Sequence, residues 1–308
     1  MPRSVVAATL AVVVLVAGIG AVAVAAGDGN APRVGGRAAP VDQPNERFFA
    51  DGAQFAVECG FSHSARVDPI VWPGQTGRSH RHDFFGATDV DAHSTGTDLV
   101  GAPTTCRVGA DTAAYWAPSL MSSGQPVTPG RATAYYRVAP GVDPTEVVAY
   151  PLGLAAIAGD ATAAAPQPRG VVGWGCGRGG PVAATIPACA GGSPLQLRVT
   201  FPNCWDGEHL DSPDHRSHLA YSGADGCGGD HPVALPRLTL VLHYPVTGDP
   251  VGLSLASGDP RTAHADCLTG WDEGALRREV ESCLHRSVVC NIPDSARAAA
   301  AVRGTLVP

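Results

Sequence analysis

The fold class of this chain is indicated most clearly by the stretch Leu195-Gln196-Leu197-Arg198-Val199-Thr200-Phe201. Apolar and polar side chains alternate along it, and this period of two is typical of a β-strand with one buried face. It is the clearest strand pattern in the chain, and shorter strand-like runs lie on both sides of it. These runs cover residues 54–58, 114–121, 132–138, 146–150, 155–158, 171–174, 238–244 and 251–255.

The composition agrees with many short strands joined by turns. The 308 residues include 38 glycines and 27 prolines, and only 16% of them are charged. This abundance of turn-forming residues disfavours a helical bundle. We therefore predict a mostly β chain, folded as a single β-sandwich or jelly-roll-like domain with long loops. The net charge of −7 argues against nucleic acid as a partner.

One helix is predicted near the C-terminus of the domain. Asp272 can cap its first turn, which contains Glu273, while Leu276, Val280 and Leu284 fall on one face. The helix is expected to end before the last cysteine of the chain.

The first residues have the composition of a targeting segment. An unbroken run of small and apolar residues fills 5–26, so residues 1–26 are predicted to be either a cleaved signal peptide or a retained membrane anchor. Both alternatives place the rest of the chain outside the cytoplasm, with the membrane touched only through this segment. Residues 27–47 are predicted to be a flexible linker, 48–290 the globular domain and 291–308 a loosely held tail.

Export changes the interpretation of the nine cysteines, because disulfides form in oxidising compartments. Sequence alone leaves their connectivity open. Pairing each cysteine with its neighbour predicts the bridges Cys59–Cys106, Cys176–Cys189, Cys204–Cys227 and Cys283–Cys290. Cys267 then remains as a buried free thiol, or less simply as a metal ligand.

Histidines are concentrated in short polar phrases, and the first of these is Ser79-His80-Arg81-His82-Asp83. In an extended stretch His80 and His82 point to the same side, as two ligands of one metal ion require. The alternative is a polar loop with two exposed histidines.

The second phrase runs from His209 to His218 and contains two aspartates, Asp211 and Asp214. Asp214 is predicted to orient His215 for proton transfer, and His218 reaches the same place if the stretch forms a helical turn. The alternative is a turn whose aspartates accept bonds from backbone amides.

Two further histidines, His231 before Pro232 and His264 before Ala265-Asp266, gain meaning only if they join the other phrases in space. His264 and Asp266 share a face if that stretch is extended. The candidate catalytic residues are His215, Asp214 and His218. The candidate metal or substrate ligands are His80, His82, His231 and His264.

The ordered set of phrases resembles the domain of unknown function family 1996, found in exported bacterial and fungal proteins. The phrases that carry the resemblance are Ser79 to Gly86, Thr104-Thr105-Cys106, Tyr115 to Pro118, Phe201 to Gly207, Asp211 to His218, His231-Pro232-Val233, His264-Ala265-Asp266 and Gly270-Trp271-Asp272. The resemblance spans roughly residues 55–283 and supports the six histidines as one set. It implies a cell-wall or polysaccharide setting without implying a reaction. The position of Cys267 usually holds an aromatic residue in that family.

We therefore expect an exported protein with a histidine- and aspartate-rich site, which acts on extracellular polysaccharide by metal-assisted or acid/base chemistry. The expected cofactor is a divalent metal ion, zinc or copper. The alternative is a non-catalytic cell-wall or metal-binding protein. A copper redox protein is a third, weaker hypothesis.

Overall fold

The computed structural model describes residues 53–177 and 180–290. Its strands are β1 (Gln54–Ala65), β2 (His82–Gly86), β3 (Ala114–Pro118), β4 (Leu120–Ser122), β5 (Gln125–Pro126), β6 (Arg131–Arg137), β7 (Ala155–Gly159), β8 (Val172–Cys176), β9 (Leu195–Thr200), β10 (Cys204–Trp205), β11 (Leu219–Ala220), β12 (Val233–Ala234), β13 (Arg237–His243), β14 (Leu253–Leu255), β15 (His264–Leu268) and β16 (Val289–Cys290). The helices are α1 (Gly96–Leu99), α2 (Glu273–Glu279), the 3-10 turns Pro144–Glu146 and Pro260–Thr262, and the π-helical turn Val280–Leu284.

The main sheet follows the order β7-β15-β3-β2-β1-β6-β13-β9-β8, with β16 beside β1. Strand β1 belongs to both halves of this path, since residues 54–60 pair with β6 and residues 61–65 pair with β2 across a shift in register. We call β7-β15-β3-β2 with residues 61–65 the front sheet, and residues 54–60 with β6, β13, β9 and β8 the rear sheet. The two sheets form a sandwich that is nearly a closed barrel, because β7 at one edge contacts β9, the strand next to the other edge. The predicted mostly β sandwich is confirmed.

The core of the sandwich follows the alternation of each strand. Leu195, Leu197 and Val199 on β9 point inward from the rear sheet, as the periodicity of the opening stretch predicts. From the front sheet Phe85 and Tyr115, which are paired across β2 and β3, point into the same core. Burial of these apolar side chains is the main source of stability, at about 25 cal/mol per Å² of apolar surface.

The outer face of the front sheet is covered as well, by loops that precede β2 and β3. Phe84 and Trp116 lie on this face, stacked with 5.6 Å between their ring centroids. Val67, Ile70 and Val90 pack over them from the loops. The front sheet is therefore buried on both faces, and polar groups on its outer face are removed from water.

Two of the predicted strands differ in the structure. Residues 146–150 form no strand: Pro144–Glu146 is a 3-10 turn, and Tyr150 is held by its hydroxyl on the carbonyl of Pro236 at 2.7 Å. Apolar side chains there fill the core without pairing in a sheet. The run 114–121 divides into β3 and β4 after Pro118, whose nitrogen carries no hydrogen for a strand pair.

The predicted C-terminal helix is confirmed and is shorter than its apolar pattern. The carboxylate of Asp272 accepts a hydrogen bond from the Ala275 amide at 2.7 Å, which caps α2. Leu276 is buried in α2, while Val280 and Leu284 are buried in the π-helical turn that follows.

Four disulfides join the pairs that neighbour pairing predicts, namely Cys59–Cys106, Cys176–Cys189, Cys204–Cys227 and Cys283–Cys290. Cys267 is free and buried, as predicted. The predicted signal peptide or anchor, linker and C-terminal tail lie outside the described residues. No helix within 53–177 or 180–290 is long and apolar enough to cross a membrane.

A polar network lies inside the sandwich next to Cys267. The hydroxyl of Tyr115 donates to the Asp111 carboxyl at 2.9 Å, the hydroxyls of Tyr115 and Tyr136 share a hydrogen bond, and Trp271 Nε1 donates to Tyr136 Oη at 3.1 Å. Asp111 is fully buried, and this burial raises the pKa of its carboxyl to about 8 against the lowering effect of the Tyr115 bond. The Asp111 carboxyl is therefore protonated in the folded chain at neutral pH.

Replacing Asp111 with asparagine is expected to flatten the pH dependence of stability. The unfolded carboxyl titrates near 3.8 and the folded one near 8, so the folded state holds one more proton between these values. The contribution of the Asp111 carboxyl to the free energy of unfolding is fully present below pH 3.8 and is lost as the pH rises through 8. The loss is about 1.4 kcal/mol per pH unit. Urea unfolding at pH 5 and 7 tests this. Parallel pH slopes for wild type and variant would contradict it.

Candidate metal centre

Three of the predicted histidines converge on the outer face of the front sheet. His82 begins β2 and His264 begins β15, and both strands are neighbours of β3, which brings the two side chains together across it. His80 lies just before β2. The ring centroids are 4.2 Å apart for His80 and His82, 5.0 Å for His80 and His264, and 5.9 Å for His82 and His264. One nitrogen of each ring lies within 4.8 Å of the others.

Hydrogen bonds determine which nitrogen of each ring is available. Nδ1 of His82 lies 2.9 Å from the Val67 carbonyl, and Nδ1 of His264 lies 2.8 Å from the Thr262 carbonyl. A carbonyl only accepts, so both Nδ1 atoms carry the hydrogen and both Nε2 atoms present a lone pair. This Nδ1 bond to a backbone carbonyl is the usual outer support of a metal-binding histidine.

Two nitrogens of the three-histidine group are buried without a hydrogen-bond partner. Nε2 of His80 and Nε2 of His82 make no hydrogen bond to any described residue. An unpaired polar atom in the interior costs about 1–3 kcal/mol, so a native structure usually gives such an atom a partner. The two Nε2 atoms are therefore the atoms of this site at which a bound ligand would supply the missing partner.

Two carboxylates lie beside the histidines. Asp68, Asp266 and His82 form a second group whose ligand atoms are within 4.8 Å of one another. Asp68 is held in place by the amides of Ile70 and Val71, which bond to its Oδ1 at 3.1 and 2.9 Å. Oδ2 of Asp266 is buried and makes no hydrogen bond to a described residue. The two carboxylates therefore lie next to the three-histidine group, with which they share His82.

Burial controls the charge of the whole site. Burial lowers the pKa of His80 to about 4, with a further contribution from Arg66, and it lowers the pKa of His264 to about 4. The pKa of His82 lies well below its usual value for the same reason. Burial raises the pKa of Asp68 and of Asp266. The imidazoles are thus neutral at pH 7, which is the form that binds metal ions.

The second histidine phrase forms a loop beside this site, with a different pairing from the predicted one. Nδ1 of His215 lies 2.8 Å from Oδ2 of Asp211, so the predicted Asp214–His215 pair is wrong. His215 has a φ of 57°, so the stretch does not form the right-handed helical turn on which a meeting of His215 and His218 depended. The Asp214 carboxylate instead accepts bonds from the Arg216 amide at 3.0 Å and the Ser217 amide at 2.8 Å.

His218 and His231 hold this loop in place. His218 is buried, with Nε2 2.7 Å from the Ala155 carbonyl and Nδ1 2.9 Å from Ser212 Oγ. His231 Nε2 lies 2.9 Å from the carbonyl of Ser217. Both nitrogens of His218 are thus engaged within the protein, and neither His218 nor His231 belongs to the three-histidine group.

Sequence reasoning missed two ligand candidates. Asp68 was hidden in an apolar loop segment, Val67-Asp68-Pro69-Ile70, and no spacing relates it to a histidine. Asp266 was noted only as sharing a face with His264, and the structure buries both on β15. A buried carboxylate on the same strand face as a histidine is the signal that could have added Asp266.

One comparison with known proteins identifies the family. The profile of the family described as a domain of unknown function, DUF1996, matches residues 68–271. The chain belongs to the DUF1996 family. The matched residues of this DUF1996 domain contain all five ligand candidates: Asp68, His80, His82, His264 and Asp266. No curated protein and no solved structure matches the chain significantly.

Proposed function

We propose that this DUF1996 domain binds one divalent transition-metal ion through His80, His82 and His264, with the carboxylates of Asp68 and Asp266 beside it. The observation that carries the proposal is the pair of buried, unpartnered Nε2 atoms on His80 and His82 within ligand distance of His264. Binding an ion gives each orphaned nitrogen a partner. It also places positive charge beside two carboxylates that burial otherwise disfavours in their charged form.

The overlap of the two groups argues for one ion. His82 belongs to the three-histidine group and to the group with Asp68 and Asp266. Its Nδ1 is used by the Val67 carbonyl, so only Nε2 is available, and one lone pair serves one ion. On this proposal one ion takes His82 together with His80 and His264, and Asp68 and Asp266 lie beside it.

The donor set favours zinc or copper. Imidazole nitrogens suit zinc, copper, iron and nickel, while calcium and magnesium prefer sites made only of oxygens. Three histidines with a further position available is a donor set of catalytic zinc centres. When bound, the ion supplies Lewis acidity and an activated water. The protein's own residues hold it and exclude bulk water.

Export and action on extracellular polysaccharide complete the proposal. The four disulfides and the apolar run at 5–26 support a location outside the cytoplasm. His80 is only half-buried, unlike His82 and His264, although its Nε2 is buried. Access of a substrate group to the ion past the exposed part of His80 is part of this proposal. A non-catalytic metal-binding protein of the cell wall is the alternative, and it is favoured if protein ligands occupy every coordination position.

Elemental analysis of protein purified without chelator tests the metal, and glycan cleavage tests the enzyme. We expect about one zinc or copper ion per chain, lost on chelation and regained on adding the metal. Cell-wall glycans are then incubated with the metal-loaded and the chelated protein. Substoichiometric metal both in the protein as purified and in the protein after the metal is added back would overturn the metal centre. Stoichiometric metal without cleavage of any glycan would favour the non-catalytic alternative.

A further inference from the structure

Arg216 is fixed next to the proposed metal centre. Its Nη2 donates to the Gly159 carbonyl at 2.9 Å, and Gly159 is the residue paired with His264 across β7 and β15. Nε and Nη1 make no hydrogen bond to any described residue, and the side chain is exposed. One edge of the guanidinium is thus used for anchoring, while the other donors remain available to a ligand.

The loop that carries Arg216 is built to hold it in this position. The Arg216 amide donates both to Ser212 Oγ and to the Asp214 carboxylate, each at 3.0 Å. His218 fastens the same loop to β7 through the Ala155 carbonyl. These bonds fix the backbone of the loop at Arg216 beside β7.

The surroundings of the centre are positively charged on two sides. The charge of Arg216 acts on His264 and Asp266, and Arg66, whose Nε donates to the Ser79 carbonyl at 3.1 Å, acts on His80. Asp160 is the acidic group that also acts on His264, and its Oδ1 is occupied by the amide and hydroxyl of Thr162, both at 2.7 Å. An ion of charge +2 together with Arg66 and Arg216 outweighs the carboxylates of Asp68, Asp266 and Asp160, so the surroundings favour an anion.

We propose that the metal ion and Arg216 together bind an oxyanion of the ligand, a carboxylate or a phosphate. This inference rests on the proposed metal centre. One oxygen would bind the ion, and another would accept from the unused donors of Arg216, whose charge-assisted bonds to oxyanions are strong. The substrate class is then an acidic one, with the neutral part of the ligand extending into solvent.

Calorimetric titration of the zinc-loaded protein tests this, with inorganic phosphate and D-glucuronate as separate probes. We expect at least one probe to bind, and Arg216→Gln to weaken it at least about tenfold, which is the smaller end of the effect of a charge-assisted hydrogen bond. The affinity of Arg216→Lys for the probe is expected to lie between those of wild type and Arg216→Gln, because lysine keeps the charge and loses the planar fork. The matched control is Arg107→Gln, which removes an exposed arginine paired with Glu58 on the rear sheet and should leave binding unchanged.

The outcomes separate this inference from the metal centre. If wild type holds neither zinc nor copper after loading with each metal, the proposed function fails. If Arg216→Gln holds one zinc and binds the probe as tightly as wild type, or if wild type with zinc binds neither probe, only the role of Arg216 is overturned. Binding of glucuronate alone identifies an acidic glycan as the ligand, and binding of phosphate alone identifies a phosphate group.

Discussion

Replacing His82 with asparagine will lower the zinc affinity of the chain at least about 100-fold, because loss of an outer support already costs 10–100-fold and this change removes a ligand. The asparagine amide nitrogen lies near the position of Nδ1, so the bond to the Val67 carbonyl is retained and Nε2 alone is lost. His264→Asn has the same design, since Nδ1 of His264 bonds the Thr262 carbonyl. Competition with a chromogenic chelator measures the affinity.

Two controls keep this prediction interpretable. His93→Gln removes an exposed histidine outside the cluster and should leave the affinity unchanged. His80→Gln changes the half-buried member of the cluster, so it weakens zinc binding with the smallest expected effect on the fold. Zinc affinity equal to wild type in folded His80→Gln, His82→Asn and His264→Asn proteins would remove these residues from the centre.

Removing the Cys59–Cys106 bridge will destabilise the domain more than removing Cys283–Cys290. The first bridge joins residues 47 apart and the second joins residues 7 apart. In the chain-entropy account a bridge over the longer loop contributes about 4 kcal/mol and one over the shorter loop about 2 kcal/mol. All four cysteines are buried, so the loss of packing on substitution with alanine is similar in both pairs.

Guanidinium unfolding of the two double-alanine variants measures the difference in the free energy of unfolding. The Cys59–Cys106 variant should unfold at the lower denaturant concentration. Equal destabilisation, or a larger effect for the Cys283–Cys290 variant, would show that local packing and not loop closure decides the contribution of these bridges.

The sequence predicted the local geometry of single strands better than it predicted which distant residues come together in the fold. The alternation of apolar and polar residues from Leu195 to Phe201 identified a strand and its buried face. The same alternation of side-chain direction, applied to residues 80–82, placed His80 and His82 on one side, because this direction depends on nearby residues alone. The pairing of strands depends on the whole chain. That β2 and β15 both flank β3, and so bring His82 to His264, could not follow from periodicity.

The same limit explains the errors in the second histidine phrase. Asp214 is next to His215 in sequence, but the positive φ of His215 turns its ring towards Asp211. The role of Arg216 depends on the Gly159 carbonyl, which is distant in the chain. Disulfide neighbours were predicted correctly because short connections favour pairing between cysteines that are close in sequence.

Anomalous X-ray diffraction from crystals of the zinc-loaded protein locates the single metal ion that His80, His82 and His264 are proposed to hold. We expect one strong zinc peak on the outer face of the front sheet, with nitrogens of the three histidines about 2.0–2.1 Å from it. A stoichiometric zinc peak elsewhere, or no peak at this cluster in zinc-saturated crystals, would show that the three histidines do not form the metal centre.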